Sequence, residues 1–93
     1  MATRKEWTIA EKVAAWENVA GRHPDSSKIY SKAVCPLNYC YYPSIKMEWD
    51  KYGNDSRTDW VIDHKRALNN GGSNHVSNLQ AMHNYCNSVK GDN

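Results

Sequence analysis

Asp63 and His64 are adjacent in a chain of 93 residues, and Asn78, Asn87 and Lys90 follow them in its last third. A carboxylate, an imidazole, two carboxamides and an ammonium are groups suited to phosphodiester hydrolysis. An imidazole, with an ordinary pKa of about 6.5, can take a proton from water at neutral pH. The Asp63 carboxylate and the Asn87 amide oxygen are hard donors, suited to Mg²⁺ or Mn²⁺. Such an ion can polarise a phosphoryl oxygen and stabilise a leaving alkoxide. Lys90 can meet a phosphate as a point charge. Lys65 and Arg66, which follow His64 directly, are further candidates for phosphate contact.

A second set of residues suits a softer ion. Cys35 and Cys40 bracket Pro-Leu-Asn-Tyr, and His83 stands three residues before Cys86. Three thiols are an awkward number for a disulfide framework. With one imidazole they would complete a tetrahedral zinc site. On local spacing alone, three unrelated buried thiols and a surface histidine are as good a reading.

These residues need elements to hold them. Thr8 to Ala20 reads as a helix, with Thr8 and Glu11 forming a capping box and Ile9, Val13, Trp16 and Ala20 on one apolar face. Gly21 stops it, and Pro24 prevents its resumption. Tyr39 to Tyr42 reads as a short strand ended by Pro43, and Ile45 to Tyr52 as either strand or helix. Asp59 to Asp63 is a β-branched and aromatic strand. A loop rich in Asn and Gly follows, then a second strand over Leu79 to Met82 and a helix over His83 to Lys90. Asn87 and Lys90, three apart, share one face of that helix. Successive strand residues point to opposite faces, so Asp63 and His64 can serve one site only if the strand ends or kinks there, or if the site straddles the hairpin edge.

Length and composition narrow the function classes. A mass of 10.7 kDa allows one domain, 1–93, with 1–58 as supporting helix and knuckle region and 59–93 as the chemical unit. Twelve basic residues against ten acidic ones exclude a strongly basic nucleic-acid glue. No apolar run serves as a leader, and none approaches the ~18 residues of a membrane span, so a cytoplasmic protein in a reducing compartment is expected. Domains this small often need a metal, a disulfide or a partner. With no Phe present, the four Trp are expected to fill the core.

The ordered set Trp60-Val-Ile-Asp63-His64, Gly71-Gly72, Asn78-Leu79-Gln80 and His83-Asn-Tyr-Cys86-Asn87-Ser-Val-Lys90-Gly91 resembles the HNH endonuclease motif. Each piece is weak by itself; the order and spacing together are specific. The resemblance is to small bacterial and phage members. It implies an α+β fold, a ββα-metal finger with an N-terminal supporting helix, stabilised by zinc. It implies that His64 is the general base, that Asp63 and Asn87 hold a catalytic Mg²⁺ or Mn²⁺, and that Asn78 fixes the backbone around His64. DNA is the implied substrate, cut to a 5′-phosphate and a 3′-hydroxyl in the cytoplasm of a bacterial host cell or under phage control. One finger has one active site, so cutting both strands would need a dimer or a protein partner. Two departures stand out. Asn87 occupies a slot where His is usual, and His83 and Cys86 occupy the family's zinc-cysteine slots, with Cys35 and Cys40 as the remaining pair. That coincidence favours a Cys₃His structural zinc. The competing readings are a non-catalytic zinc-stabilised DNA-binding or adaptor module, and a non-specific nuclease or RNase on the same finger.

Overall fold

A computed structural model describes residues 6–91. Helix α1 spans Ile9–Ala20. Thr8 caps it: its side chain accepts the Glu11 amide at 3.1 Å while a Glu11 carboxylate oxygen accepts the Thr8 amide at 2.9 Å. Such a cap contributes on the order of 1 kcal/mol. Gly21, at φ 86°, closes the helix with its amide on the Glu17 carbonyl. The buried face runs through Ala15 and Trp16, with Val19 and Ala20 packed beside them. Ile9 shares the face of Trp16 but lies two turns, about 10 Å, earlier along the axis. It is 68% exposed and takes no part in the core.

Two small antiparallel sheets follow. In the first, β1 (Lys32–Ala33) pairs with β2 (Met47–Glu48). The segment between them, expected to hold a strand at Tyr39 to Tyr42, is instead a pair of turns closed by Cys40 N–H on Leu37 O and Ile45 N–H on Tyr42 O. The ambiguous stretch from Ile45 resolves as the short strand β2.

The second sheet pairs β3 (Trp60–His64) with β4 (Leu79–His83) in the register Trp60↔His83 to His64↔Leu79. Helix α2, Asn84–Lys90, leaves β4 without a loop. Its first amides are satisfied by the chain entering β3: Asn84 N–H reaches Asp59 O at 2.6 Å, and Tyr85 N–H reaches Arg57 O at 3.0 Å.

The core lies between α1 and the β3–β4 hairpin and is aromatic, as the absence of Phe requires. Trp16 packs on Trp60 with ring centroids 5.0 Å apart, and Trp49 lies over Trp60 at 5.5 Å. Each buried indole finds an acceptor: Trp16 Nε1 donates to Tyr30 O and Trp60 Nε1 to Trp49 O. Asn18 of α1 donates to the carbonyls of Val76 and Leu79, tying the helix to the start of β4. Two-stranded sheets are marginal alone, so the hairpin depends on α1, α2 and whatever ties it to β1 and β2.

Candidate active site and metal centre

The tie between the sheets is a cluster of soft donors. Cys35 follows β1, Cys40 lies in the turns, His83 ends β4 and Cys86 sits in the first turn of α2. Their ligand atoms all fall within 4.8 Å of one another. Cys40 Sγ is 3.7 Å from Cys86 Sγ and 3.4 Å from His83 Nδ1. Tetrahedral zinc, with bonds of about 2.3 Å to sulfur and 2.0 Å to nitrogen, sets its ligands about 3.5–3.8 Å apart. The donor set therefore fits zinc in chemistry, and the separations of Cys40 from Cys86 and His83 match its spacing.

Backbone amides turn towards the sulfurs as well. Tyr41 N–H points at Cys86 Sγ and Tyr42 N–H at Cys40 Sγ. This is why the aromatic run is a turn: its amides face sulfur and not a neighbouring strand. Burial pushes the Cys35 thiol up to about 12, raises Cys86, and lowers His83. Burial thus disfavours the charged forms of Cys35, Cys86 and His83, and an uncharged imidazole has a lone pair to offer. His83 Nε2 is buried with no hydrogen-bond partner.

The other end of α2 meets a different chemistry. Asp63, on β3, is fully buried. Its Oδ2 accepts from Gln80 Nε2 at 2.8 Å, across the β3–β4 pair. Its Oδ1 accepts from Asn87 Nδ2 at 2.9 Å and Lys90 Nζ at 3.2 Å. Asn87 and Lys90 thus reach one oxygen from the same helix face, while Gln80 holds the other. The Lys90 ammonium also donates to the His64 backbone carbonyl at 3.2 Å. Rotating the Asn87 amide by half a turn would present its oxygen beside Asp63 Oδ1. That oxygen pair suits a hard divalent ion, which would compete with the Lys90 ammonium for the carboxylate.

His64 is the last residue of β3, so the strand does end at the pair. Pleat alternation sends its ring to the other face from Asp63. The ring lies 5.7 Å from the Trp7 ring, and its Nε2 is 2.7 Å from Asn74 Oδ1. The two residues meet at the hairpin edge, linked through Lys90, which touches the side chain of one and the backbone of the other.

Asn78 organises the loop between the strands. Its Oδ1 accepts Arg66 N–H at 2.8 Å, and its Nδ2 donates to Arg66 O at 3.0 Å and Ser73 O at 2.7 Å. Its own carbonyl accepts Lys65 N–H at 2.7 Å. Gly72 lies against this turn. A β-carbon there would collide with the Arg66 and Ala67 carbonyls, which is the reason the turn requires glycine.

Lys65, Arg66 and Lys90 line an open cleft of about 450 Å³ together with Ala67, Asn70 and Gly91. They are all the Lys and Arg residues of 59–93. Arg66 is braced by Nε donating to Asn70 O at 2.7 Å.

Every residue singled out from the sequence therefore lies in one of two clusters or in the loop and cleft beside them. Gln80 and Asn74 were missed. The antiparallel pairing of two strands was legible, and a worked-out register would have set Gln80 opposite Asp63. Asn74 carried no signal beyond its loop.

An antiparallel hairpin crossed by a helix, with Asp and His at its edge and a Cys₃His cluster at the far end, defines the class of ββα-metal fingers that zinc can stabilise. The HNH endonuclease family model matches residues 38–93, which is more than half of the chain. The chain belongs to the HNH endonuclease family. No curated protein and no solved structure matches it.

Proposed function

We propose that this chain is a divalent-metal-dependent DNA endonuclease. The observation carrying the proposal is the convergence of Asn87 and Lys90 on the buried Asp63 carboxylate, one residue from His64 and beside a cleft lined by three cations. A structural ion pair alone would not need the adjacent imidazole or the basic cleft.

In this reading His64 takes the proton of the attacking water. The water oxygen bonds to phosphorus as the P–O3′ bond breaks, leaving a 5′-phosphate and a 3′-oxygen that is protonated to a hydroxyl. Asp63 and Asn87 hold a Mg²⁺ or Mn²⁺ ion, which supplies electrostatic stabilisation of the charge developing on the phosphate. Gln80 keeps one Asp63 oxygen tied so that the other faces α2. Asn78 holds the backbone at Lys65 and Arg66, just after His64. Lys65, Arg66 and Lys90 bind backbone phosphates, which positions DNA without reading its sequence. Cys35, Cys40, His83 and Cys86 hold a structural zinc.

One active site nicks one strand; cutting both requires a second copy or a protein partner. A cytoplasmic setting, in a bacterial host cell or under phage control, accords with thiols kept reduced for a metal. Among the described residues no helix is long and apolar enough to cross a membrane.

The non-catalytic reading has one observation on its side: Lys90 already neutralises Asp63 without an ion. Supercoiled plasmid incubated with zinc-loaded protein decides between them. Conversion to the open circular form on adding Mg²⁺ or Mn²⁺, and none without, is expected. No conversion with either ion would contradict the proposal, and equal cutting of RNA would shift it to the broader nuclease.

A further inference from the structure

We infer that Asn74 is a positioning residue that sets the proton-accepting nitrogen of His64. The inference rests on the reading of His64 as general base and adds which of its nitrogens acts, and why.

The His64 ring is held on two sides. It is only 9% exposed, with the Trp7 ring against it and Asn74 Oδ1 at 2.7 Å from Nε2. With Asn74 Oδ1, an acceptor, turned to it, Nε2 is the nitrogen assigned the proton. In a neutral imidazole the lone pair then lies on Nδ1. When Nδ1 takes a proton from water, the ring becomes an imidazolium and the Nε2–H bond to Asn74 becomes charge-assisted. Asn74 therefore selects the tautomer before the transfer and stabilises its product, as a third group orients the base in a nucleophile–base pair.

Asn74 can do this because its loop is held on both flanks. Ser73, just before it, gives its carbonyl to Asn78 Nδ2 and its hydroxyl oxygen to His75 N–H. His75, just after it, is turned away, with Nδ1 within 2.9 Å of Ser77 Oγ and accepting from Ser77 N–H. Gly72 N–H closes the turn on Ala67 O at 2.9 Å. The chain of support runs from Asn78 through Ser73 to Asn74 and then to the His64 ring. Asn78 and Asn74 thus act on His64 from different directions, one through the backbone after it and one through the imidazole.

The test reads the tautomer directly. Zinc-loaded full-length protein, labelled with ¹⁵N in its histidines and free of DNA and added Mg²⁺, is measured by two-bond ¹H–¹⁵N correlation at a pH where the rings are neutral. The His64 signals are assigned by their loss in His64→Ala. The expected wild-type pattern is Nε2–H. Asn74→Ala should give a mixture of tautomers, and Asn74→Asp, which keeps an acceptor oxygen, should restore Nε2–H. In plasmid nicking, Asn74→Ala should lower kcat by at least about tenfold, within the ~10²–10⁴ attributable to a general base, with KM little changed. An Nδ1–H pattern in the wild type, or Asn74→Ala with wild-type tautomer and kcat, overturns the inference. Failure of the underlying reading looks different: His64→Ala would then nick at the wild-type rate, whatever tautomer is seen.

Discussion

The two ends of α2 carry opposite solutions to the problem of buried polar groups. At its start lie Cys35, Cys40, His83 and Cys86, soft donors packed together, with the Cys35 and Cys86 thiols raised by burial. At its end lies Asp63, equally buried, with hydrogen bonds to both oxygens and an ammonium for its charge. A buried polar atom without a partner costs free energy. The first cluster gathers four soft donors that one ion would satisfy together, whereas the second is already satisfied by protein groups. An ion at the first would tie the fold together; an ion at the second would have to compete with Lys90. In the proposed function, that is the difference between a structural and a catalytic metal, set at the two ends of a single seven-residue helix.

Removing the ion from the first cluster should break this contrast most severely. Cys40 and His83 are 43 residues apart, and an ion between them closes that loop and joins the two sheets. One zinc per chain is expected by elemental analysis, with cooperative loss of tryptophan near-UV dichroism on strong chelation. Retention of the native spectrum in chelated, zinc-free protein would refute a structural role. Cys40→Ser should behave as the chelated protein does.

Gly72→Ala should have the next largest effect, because the new methyl meets backbone carbonyls that no side-chain rotation can clear. Nicking should fall sharply while zinc content stays at one, since the damage lies at the catalytic end. Asn78→Ala removes three side-chain hydrogen bonds from the same loop. At roughly 1 kcal/mol each, it should lower stability by about 2–3 kcal/mol in urea unfolding. A smaller change than that of a surface substitution would mean that the loop is held some other way.

The gentlest probe sharpens the comparison most. Lys90→Met removes the ammonium that competes for Asp63, so Mn²⁺ binding to DNA-free protein should tighten several-fold by paramagnetic titration, while plasmid binding weakens. Unchanged Mn²⁺ affinity would show that Lys90 does not contend for the carboxylate.

Much of this was legible in the residues. The capping box of Thr8 and Glu11, the stop at Gly21, the β-branched strand ending at Asp63-His64 and the final helix follow from local chemistry that tertiary packing did not override. The metal quartet was legible through motif order, because local spacing left it open. Tyr39 to Tyr42 misled because aromatic runs suit strands, and nothing local shows that their amides face sulfur. Ile9 misled because periodicity gives the face of a helix but not how far the core extends along it. Gln80 needed a register, and Asn74 needed the three-dimensional course of a loop.

The most direct test of the two-centre account is one measurement on one variant: zinc content and Mg²⁺-dependent plasmid nicking of His64→Ala. The account predicts one zinc per chain, as in the wild type, with nicking reduced by at least about 10²-fold. Nicking by His64→Ala at the wild-type rate would contradict it.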